Sequence, residues 1–453
     1  MTALRRVLGP WDVVWFFVTA IVGLRWIASA AAAGPSSLVV WIAALAGFYA
    51  PLAFCVIVLS ARYPDEGGLY VWTRHAFGDF AGFLAGWMYW MSTVIYFPGL
   101  LYFGAGNALF IADPTGHAHA DSASYFIVAS LAALTVGLGL NLVGLGAGKW
   151  LHNAGGFGTW MPIAFVVVMG AVCLLRFGPA TPIAAGDLVP RATTSDIVFW
   201  STICFGFGGF EAVAFMGDEV RDPARTIRRA VIVAGAIIAA IYLLGTAAVL
   251  VALPRGEVSG LQGIMQAIAG IAGRLGWSSA TPVLAALITL GTLGGVSAWL
   301  GSTSRLPFVA GVDRVLPPAF GRLHRRWGTP WVALCVQAGG AAVFAWLGQA
   351  GTSVKGAYEI LVNLGVISYF LPYVLMFAAM IRLDRRPHAR AIAAVGLAVT
   401  LLSIGLAAIP PPGAPGPGLA VVKIVGGSVV LVAVGTLLYA RTWTHSSRPR
   451  PAP

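Results

Sequence analysis

Long apolar runs separated by short polar connections recur twelve times along this chain. They fall near 11–33, 36–61, 77–111, 123–147, 155–177, 195–217, 229–253, 280–303, 330–349, 356–381, 389–409 and 419–441. A bilayer core is crossed by about 20 apolar residues in a helix, so the pattern predicts an all-α polytopic membrane protein with twelve transmembrane helices. The third run is longer than a bilayer needs and is expected to tilt or project beyond it. No connection is long enough to form a second domain, and residues 1–453 read as one transmembrane domain. The Pro- and Gly-rich stretch 410–418 reads as a loop, and the Pro- and Arg-rich tail 446–453 as disordered. Residues 261–268, in the connection 254–279, are too few and too polar to span; they read either as a surface helix acting as a lid or as an ordinary loop helix.

One run departs from the rest. Within 195–217 stands Cys204-Phe205-Gly206-Phe207-Gly208-Gly209-Phe210-Glu211, with three glycines in four residues followed by a carboxylate. Glycine lets a helix break, and broken backbone at membrane depth is tolerated only where it lines a cavity or is buried in protein. A carboxylate there costs roughly 2.5–3.5 kcal/mol on insertion scales and usually marks function. Two readings are open: a discontinuous helix at a binding site, or a close helix crossing through small residues with Glu211 hydrogen-bonded and inert.

The first run carries a matching feature, Val22-Gly23-Leu24-Arg25-Trp26, again a glycine and a charge in mid-span. It lies five runs before the sixth, and an odd spacing means opposite direction through the membrane. Interrupted helices in corresponding positions of two inverted halves point to a transporter site. Half-helix N-termini expose N–H groups and partial positive charge, which suit a carboxylate; half-helix C-termini expose carbonyls, which suit an ammonium. Arg25 needs a partner at this depth. Glu211, a substrate carboxylate, or backbone carbonyls reached by snorkelling are the alternatives. Paired with Arg25, Glu211 stays ionised; unpaired, it is free to carry a proton.

Composition agrees with the pattern. Of 453 residues, 58% are hydrophobic and 10% charged, which no soluble domain accommodates. The net charge of +12 is explained by topology and not by nucleic acid. With the N-terminus inside, 21 of the 28 Lys and Arg residues fall on cytoplasmic connections, which places both termini in the cytoplasm. The first run continues without a polar cleavage region and reads as a membrane helix, not a cleaved signal. Cys55, Cys173, Cys204 and Cys335 all lie in apolar runs and suggest neither disulfides nor a metal cluster. His117 and His119, near Asp113 and Asp121, read as a solvated loop more readily than as metal ligands. Ser302, Thr303 and Ser304 either help hold Na⁺ or bond back to their own helix. No nucleophilic triad, metal spacing or phosphate loop appears, so neither enzyme activity nor a metal or other cofactor is expected.

Three signatures then resemble the amino-acid permeases of the amino acid–polyamine–organocation superfamily, over roughly residues 8–440. The first is Tyr63-Pro64-Asp65-Glu66-Gly67-Gly68-Leu69-Tyr70 with Ala76-Phe77-Gly78. The second is Gly209-Phe210-Glu211 followed by Asp218-Glu219-Val220-Arg221-Asp222-Pro223. The third is Ser304-Arg305, Asp313-Arg314-Val315-Leu316-Pro317 and Gly328-Thr329-Pro330. The resemblance implies two inverted five-helix repeats (helices 1–5 about 11–177, helices 6–10 about 195–381) plus two further helices, about 389–441, and alternating access around a central site. It implies that Val22, Gly23, Leu24 and Arg25 form the unwound part of helix 1, and Gly206, Phe207, Gly208, Gly209 and Phe210, next to Glu211, that of helix 6. Phe205 matches an aromatic gate position, and Tyr89 an aromatic on helix 3 facing substrate. Two departures stand out. The usual Gly-x-Gly-Ile-Phe of helix 1 is here Gly23-Leu24-Arg25-Trp26-Ile27, and its Leu-Arg resembles the glutamate/GABA antiporter branch. Helix 5 lacks the lysine that some members use in proton coupling; Lys149 precedes it.

The expectation is thus a multi-pass inner-membrane secondary transporter of amino acids or related amines, working as an exchanger or a proton-coupled carrier with Glu211 as the proton-coupling candidate. The alternative is a transporter-like sensor that binds without transport. The expected partners are a small-molecule substrate and the lipid bilayer, without nucleic acid; oligomerisation is left open.

Overall fold

A computed structural model describes residues 9–63, 67–180, 183–190, 194–254, 258–307, 316–410 and 416–446. Pro64, Asp65 and Glu66 of the first signature, Asp313, Arg314 and Val315 of the third, residues 411–415 of the Pro/Gly loop and tail residues 447–453 lie outside them, as do the side chains of Lys149, Asp218 and Glu219.

Every regular element among the described residues is helical. In chain order the helices are α1 (Pro10–Ile21), α2 (Leu24–Ala32), α3 (Ser36–Arg62), α4 (Leu69–Phe77), α5 (Asp79–Ala112), α6 (Ala123–Val143), α7 (Leu145–Phe177), α8 (Thr194–Gly206), a 3₁₀ stretch (Phe210–Glu219), α9 (Pro223–Ala252), α10 (Gly263–Leu275), α11 (Ala280–Thr303), α12 (Trp331–Gln349), α13 (Val354–Leu383), α14 (Pro387–Ala407) and α15 (Pro417–Arg441). Ten of these are long and apolar enough to cross a membrane, and α1 with α2, bent by 49° across a short break, makes up to eleven. The sixth apolar run is not one helix: α8 stops at Gly206 and the chain resumes as a 3₁₀ stretch at Phe210.

Helix ends follow local chemistry. Helix α9 begins six residues before its apolar run, because Pro223 suits a first turn and Arg225 and Arg228 continue the helix that hydropathy alone excludes. Helix α5 runs for 34 residues, matching the overlong third run. Helix α10 is no surface-lying lid: Ile264, Met265, Ala267, Ile268, Ile271 and Ala272 are fully buried, and it packs among α2, α7, α9 and α11. Gln262, just before it, donates to the carbonyls of Gly106 and Gly116.

Helices α5 and α13 pack together through the centre, with α11 against both α5 and α7. The α7–α11 crossing is where small residues allow backbones to meet. A Cβ on Gly155 would stand 2.7 Å from Gly294 Cα, and one on Gly158 2.3 Å from Leu287 O. The close-crossing reading of glycine therefore applies here. The interrupted elements α1/α2 and α8/3₁₀ lie against α9, α3 and α13, which sets the two breaks side by side.

Candidate functional site

Each break leaves backbone groups without a helical partner, and one side chain serves both. The Tyr242 hydroxyl, on α9, shares its proton between Ile21 O at 2.8 Å and Gly206 O at 2.9 Å, the carbonyls at the ends of α1 and α8. Its oxygen accepts the Gly23 N–H at 3.4 Å. The ring is stacked on Trp41 at 4.3 Å, and Trp41 in turn donates to Thr246, one turn along α9. Tyr242 thus ties the two breaks to one another and to the scaffold.

The sixth-run break is a tight turn. Phe207 N bonds Cys204 O, Gly208 N bonds Phe205 O, and Ala212 N bonds Gly209 O. Gly209 has φ +121, which only glycine adopts without strain. The glycines also make room for neighbouring side chains. A Cβ on Gly208 would lie 2.5 Å from the Tyr369 ring, one on Gly209 2.8 Å from Ile21, and one on Gly206 3.0 Å from Trp41. The space these glycines leave is filled by the protein's own aromatic and aliphatic groups. At Gly23 the backbone is extended, at φ −123, and the nearest group is the Trp26 ring at 2.7 Å.

Glu211, fully buried, is well supplied with donors. Tyr369 Oη donates to Oε1 at 2.8 Å, Tyr373 Oη donates to Oε2, and Gly209 N reaches Oε2 at 3.2 Å. Tyr89, from α5, lies close enough to the carboxyl group to interact with it. Tyr369 and Tyr373 are one turn apart on α13, so both hydroxyls reach one carboxyl group.

Arg25 is 3% exposed and lies in the first turn of α2. Its Cζ is 4.1 Å from the centroids of both Trp26 and Tyr96. Among the described residues no acid pairs with it, and its buried Nε has no hydrogen-bond partner. The pairing of Arg25 with Glu211, one of the alternatives read from the chain, is not formed. Neutral phenols and a backbone amide hold Glu211 instead.

The remaining expected residues fall around these groups. Val22 and Leu24 flank Gly23, both buried. Phe205 meets Trp26 edge-on at 5.1 Å and Tyr369 at 4.9 Å, and Tyr89 lies 5.9 Å from Tyr369. On the side where α1 begins, Phe210 packs on Phe17 at 4.8 Å and on Tyr49 at 4.9 Å. Phe207 meets Trp41 at 5.3 Å. Aromatic contacts thus bracket the breaks on both sides. Reading the chain missed Tyr242, Tyr369, Tyr373 and Trp41. Their signal was a hydroxyl or an indole in mid-span, where a polar group needs a partner.

Other candidates resolve into local structure. Ser302 and Thr303 hydroxyls donate to Trp299 O and Ser304 to Gly301 O, so all three bond back to their own helix. Asp113 accepts from the Thr115 side chain and from backbone N–H groups of Thr115, His117 and Ala118, which organise its loop and hold its carboxyl down at about 2.

The fold defines a multi-pass membrane protein arranged around two interrupted segments. The chain belongs to the amino acid permease family, whose model matches residues 8–439. It is similar to an uncharacterized transporter of Legionella pneumophila, 29% identical over 88% of this chain and 86% of that one. It is also similar to a probable agmatine/putrescine antiporter of Lactococcus lactis (24%; 79% and 75%) and to a serine/threonine exchanger of Bacillus subtilis (25%; 72% and 70%). The protein is a transporter and not an enzyme, and the sensor alternative has no support.

Proposed function

We propose that this protein is a secondary active transporter of amino acids or closely related amines, working by alternating access as an exchanger or a proton-coupled carrier. In this reading residues 1–453 form one transporter domain of twelve helices with two inverted five-helix repeats, set in the inner membrane with both termini cytoplasmic. The observation that carries it is the joining of two helix breaks by Tyr242, which places two carbonyl ends and the N-terminus of α2 around one point. Such a point offers acceptors to an ammonium and donors to a carboxylate. The binding residues are Val22, Gly23, Leu24 and Arg25 on one side and Gly206, Phe207, Gly208, Gly209, Phe210 and Glu211 on the other. Phe205 and Tyr89 act as aromatic lids. Both touch Tyr369, so movement of α13 changes their contacts together. The names of the relatives, exchanger and antiporter, support exchange over uniport.

Glu211 is the proton-coupling candidate, since it is an acid at the break held by hydroxyls that can reorient. Purified protein in liposomes tests the reading. Labelled amino acids should enter vesicles preloaded with unlabelled substrate much faster than empty ones if the protein exchanges, or enter empty vesicles when a pH gradient is imposed if it is proton-coupled. No uptake of any amino acid or amine in either condition overturns it. Glu211→Gln should flatten the pH profile of uptake; an unchanged profile removes the proton role.

A further inference from the structure

Arg25 is a buried cation that pairs with no acid among the described residues. Burying a guanidinium is costly, and the cost is recovered only when its donors are met. Two aromatic rings, each 4.1 Å from Cζ, offer their faces to the charge, yet a ring face presents no lone pair to the in-plane N–H groups. Nε is buried with no acceptor, and no ion pair to Arg25 forms among the described residues. The described residues around it add further donors. Arg25 sits in the first turn of the nine-residue α2, where leading N–H groups lack an intrahelical acceptor and partial positive charge collects. Gly99 of α5 keeps the neighbouring wall clear, since a Cβ there would stand 3.2 Å from Nη1. Buried Tyr358, on α13, lies within the field of the same guanidinium. Glu211 is occupied by phenols and a backbone amide.

We propose that Arg25 is the carboxylate subsite of the transported molecule, so that the substrate must carry a carboxylate and a bare di- or polyamine is excluded. This deepens the transporter reading and rests on the helix breaks being the substrate site. A guanidinium fork matches a carboxylate geometrically. A diamine brings a second positive charge beside Arg25 and leaves the same donors unmet. Specificity here therefore differs in kind from that implied by the name of the agmatine/putrescine antiporter relative.

Matched pairs of compounds test this: 4-aminobutyrate against putrescine, L-alanine against L-alaninamide, with L-glutamate as a two-carboxylate probe. Two readouts are used, ligand-induced thermal shift of the purified full chain and competition for uptake in proteoliposomes. At least one carboxylate-bearing member should bind, and putrescine and L-alaninamide should not. Arg25→Met should weaken that binding about 10- to 100-fold, while the ligand-free melting temperature stays level or rises, because an unpaired buried charge has gone. Arg25→Lys keeps the charge but loses the fork and should fall between; it carries the test should Arg25→Met fail to fold. Equal binding of putrescine and 4-aminobutyrate, no binding by any carboxylate, or unchanged carboxylate affinity in the variant would overturn the proposal. Absence of transport alongside Arg25-dependent carboxylate binding would instead sink the transporter reading and leave the subsite standing.

Discussion

The two breaks are built alike and satisfied differently. Each has glycine at the interruption, a charged residue close behind it, and a share of Tyr242. At the sixth-run break the charge is Glu211, and Tyr369, Tyr373 and Gly209 N all donate to it. At the first-run break the charge is Arg25, and what surrounds it is ring faces. An acid in a membrane interior can be accommodated by neutral hydroxyls, which are cheap to place on helices. A guanidinium with several in-plane donors requires acceptors, and the buried Nε of Arg25 has none among the described residues. Glu211, by contrast, is met by the protein's own donors.

Four substitutions sharpen this contrast. The largest effect is expected at Gly209, where alanine would face both a strained positive φ and Ile21 at 2.8 Å; a loss of about 2–4 kcal/mol follows. Gly23→Ala, in extended backbone that alanine adopts without strain, meets only the Trp26 ring and should cost less, about 1–2 kcal/mol. Thermal denaturation of the two variants in one detergent checks the difference, and equal losses would show that the breaks are equally tight.

Next comes Tyr242→Phe, which keeps the stack on Trp41 but removes the shared hydroxyl. A loss of about 1–3 kcal/mol is expected from the unmet groups. Hydrogen–deuterium exchange should rise in residues 21–26 and 205–211 together. A rise in only one of these segments would mean that Tyr242 serves that break alone.

The smallest effect is a control at the membrane edge. Asp384 follows α13 and is paired with Arg386 through several short bonds, which hold its carboxyl down at about 2. Because the folded value lies below the unfolded one, about 3.9, the stabilisation is present above pH 4 and disappears as the pH falls from about 4 to about 2. Arg386 is half exposed, so Asp384→Asn should cost under about 1 kcal/mol at neutral pH and leave exchange intact. A difference in melting temperature that persists at pH 2 would contradict the pairing.

Much of this architecture was legible along the chain because membrane burial writes itself in long apolar runs. The break at Gly208 and Gly209 could be read because three glycines in four residues are incompatible with a regular span, and Glu211 because a carboxylate is conspicuous there. Tyr369 and Tyr373 could not be read as its partners. A tyrosine in an apolar run fits many faces, and nothing local says that α13 turns two hydroxyls toward a residue some 160 positions earlier. The lid reading of 261–268 failed for a similar reason, since a short apolar stretch lies on a surface or inserts among helices according to the space its neighbours leave.

The apolar runs, the two interruptions and the charge at each are legible in the chain alone, because hydropathy and glycine act locally. How those charges are met follows from the packing of the helices, which does not form the Arg25–Glu211 pair, one of the alternatives open in the chain. Side-chain reach is a few ångströms, so pairing depends on which helices cross at the breaks. Helix α13 crosses at the Glu211 side carrying phenols, and α5 crosses at the Arg25 side carrying Tyr96 and Gly99.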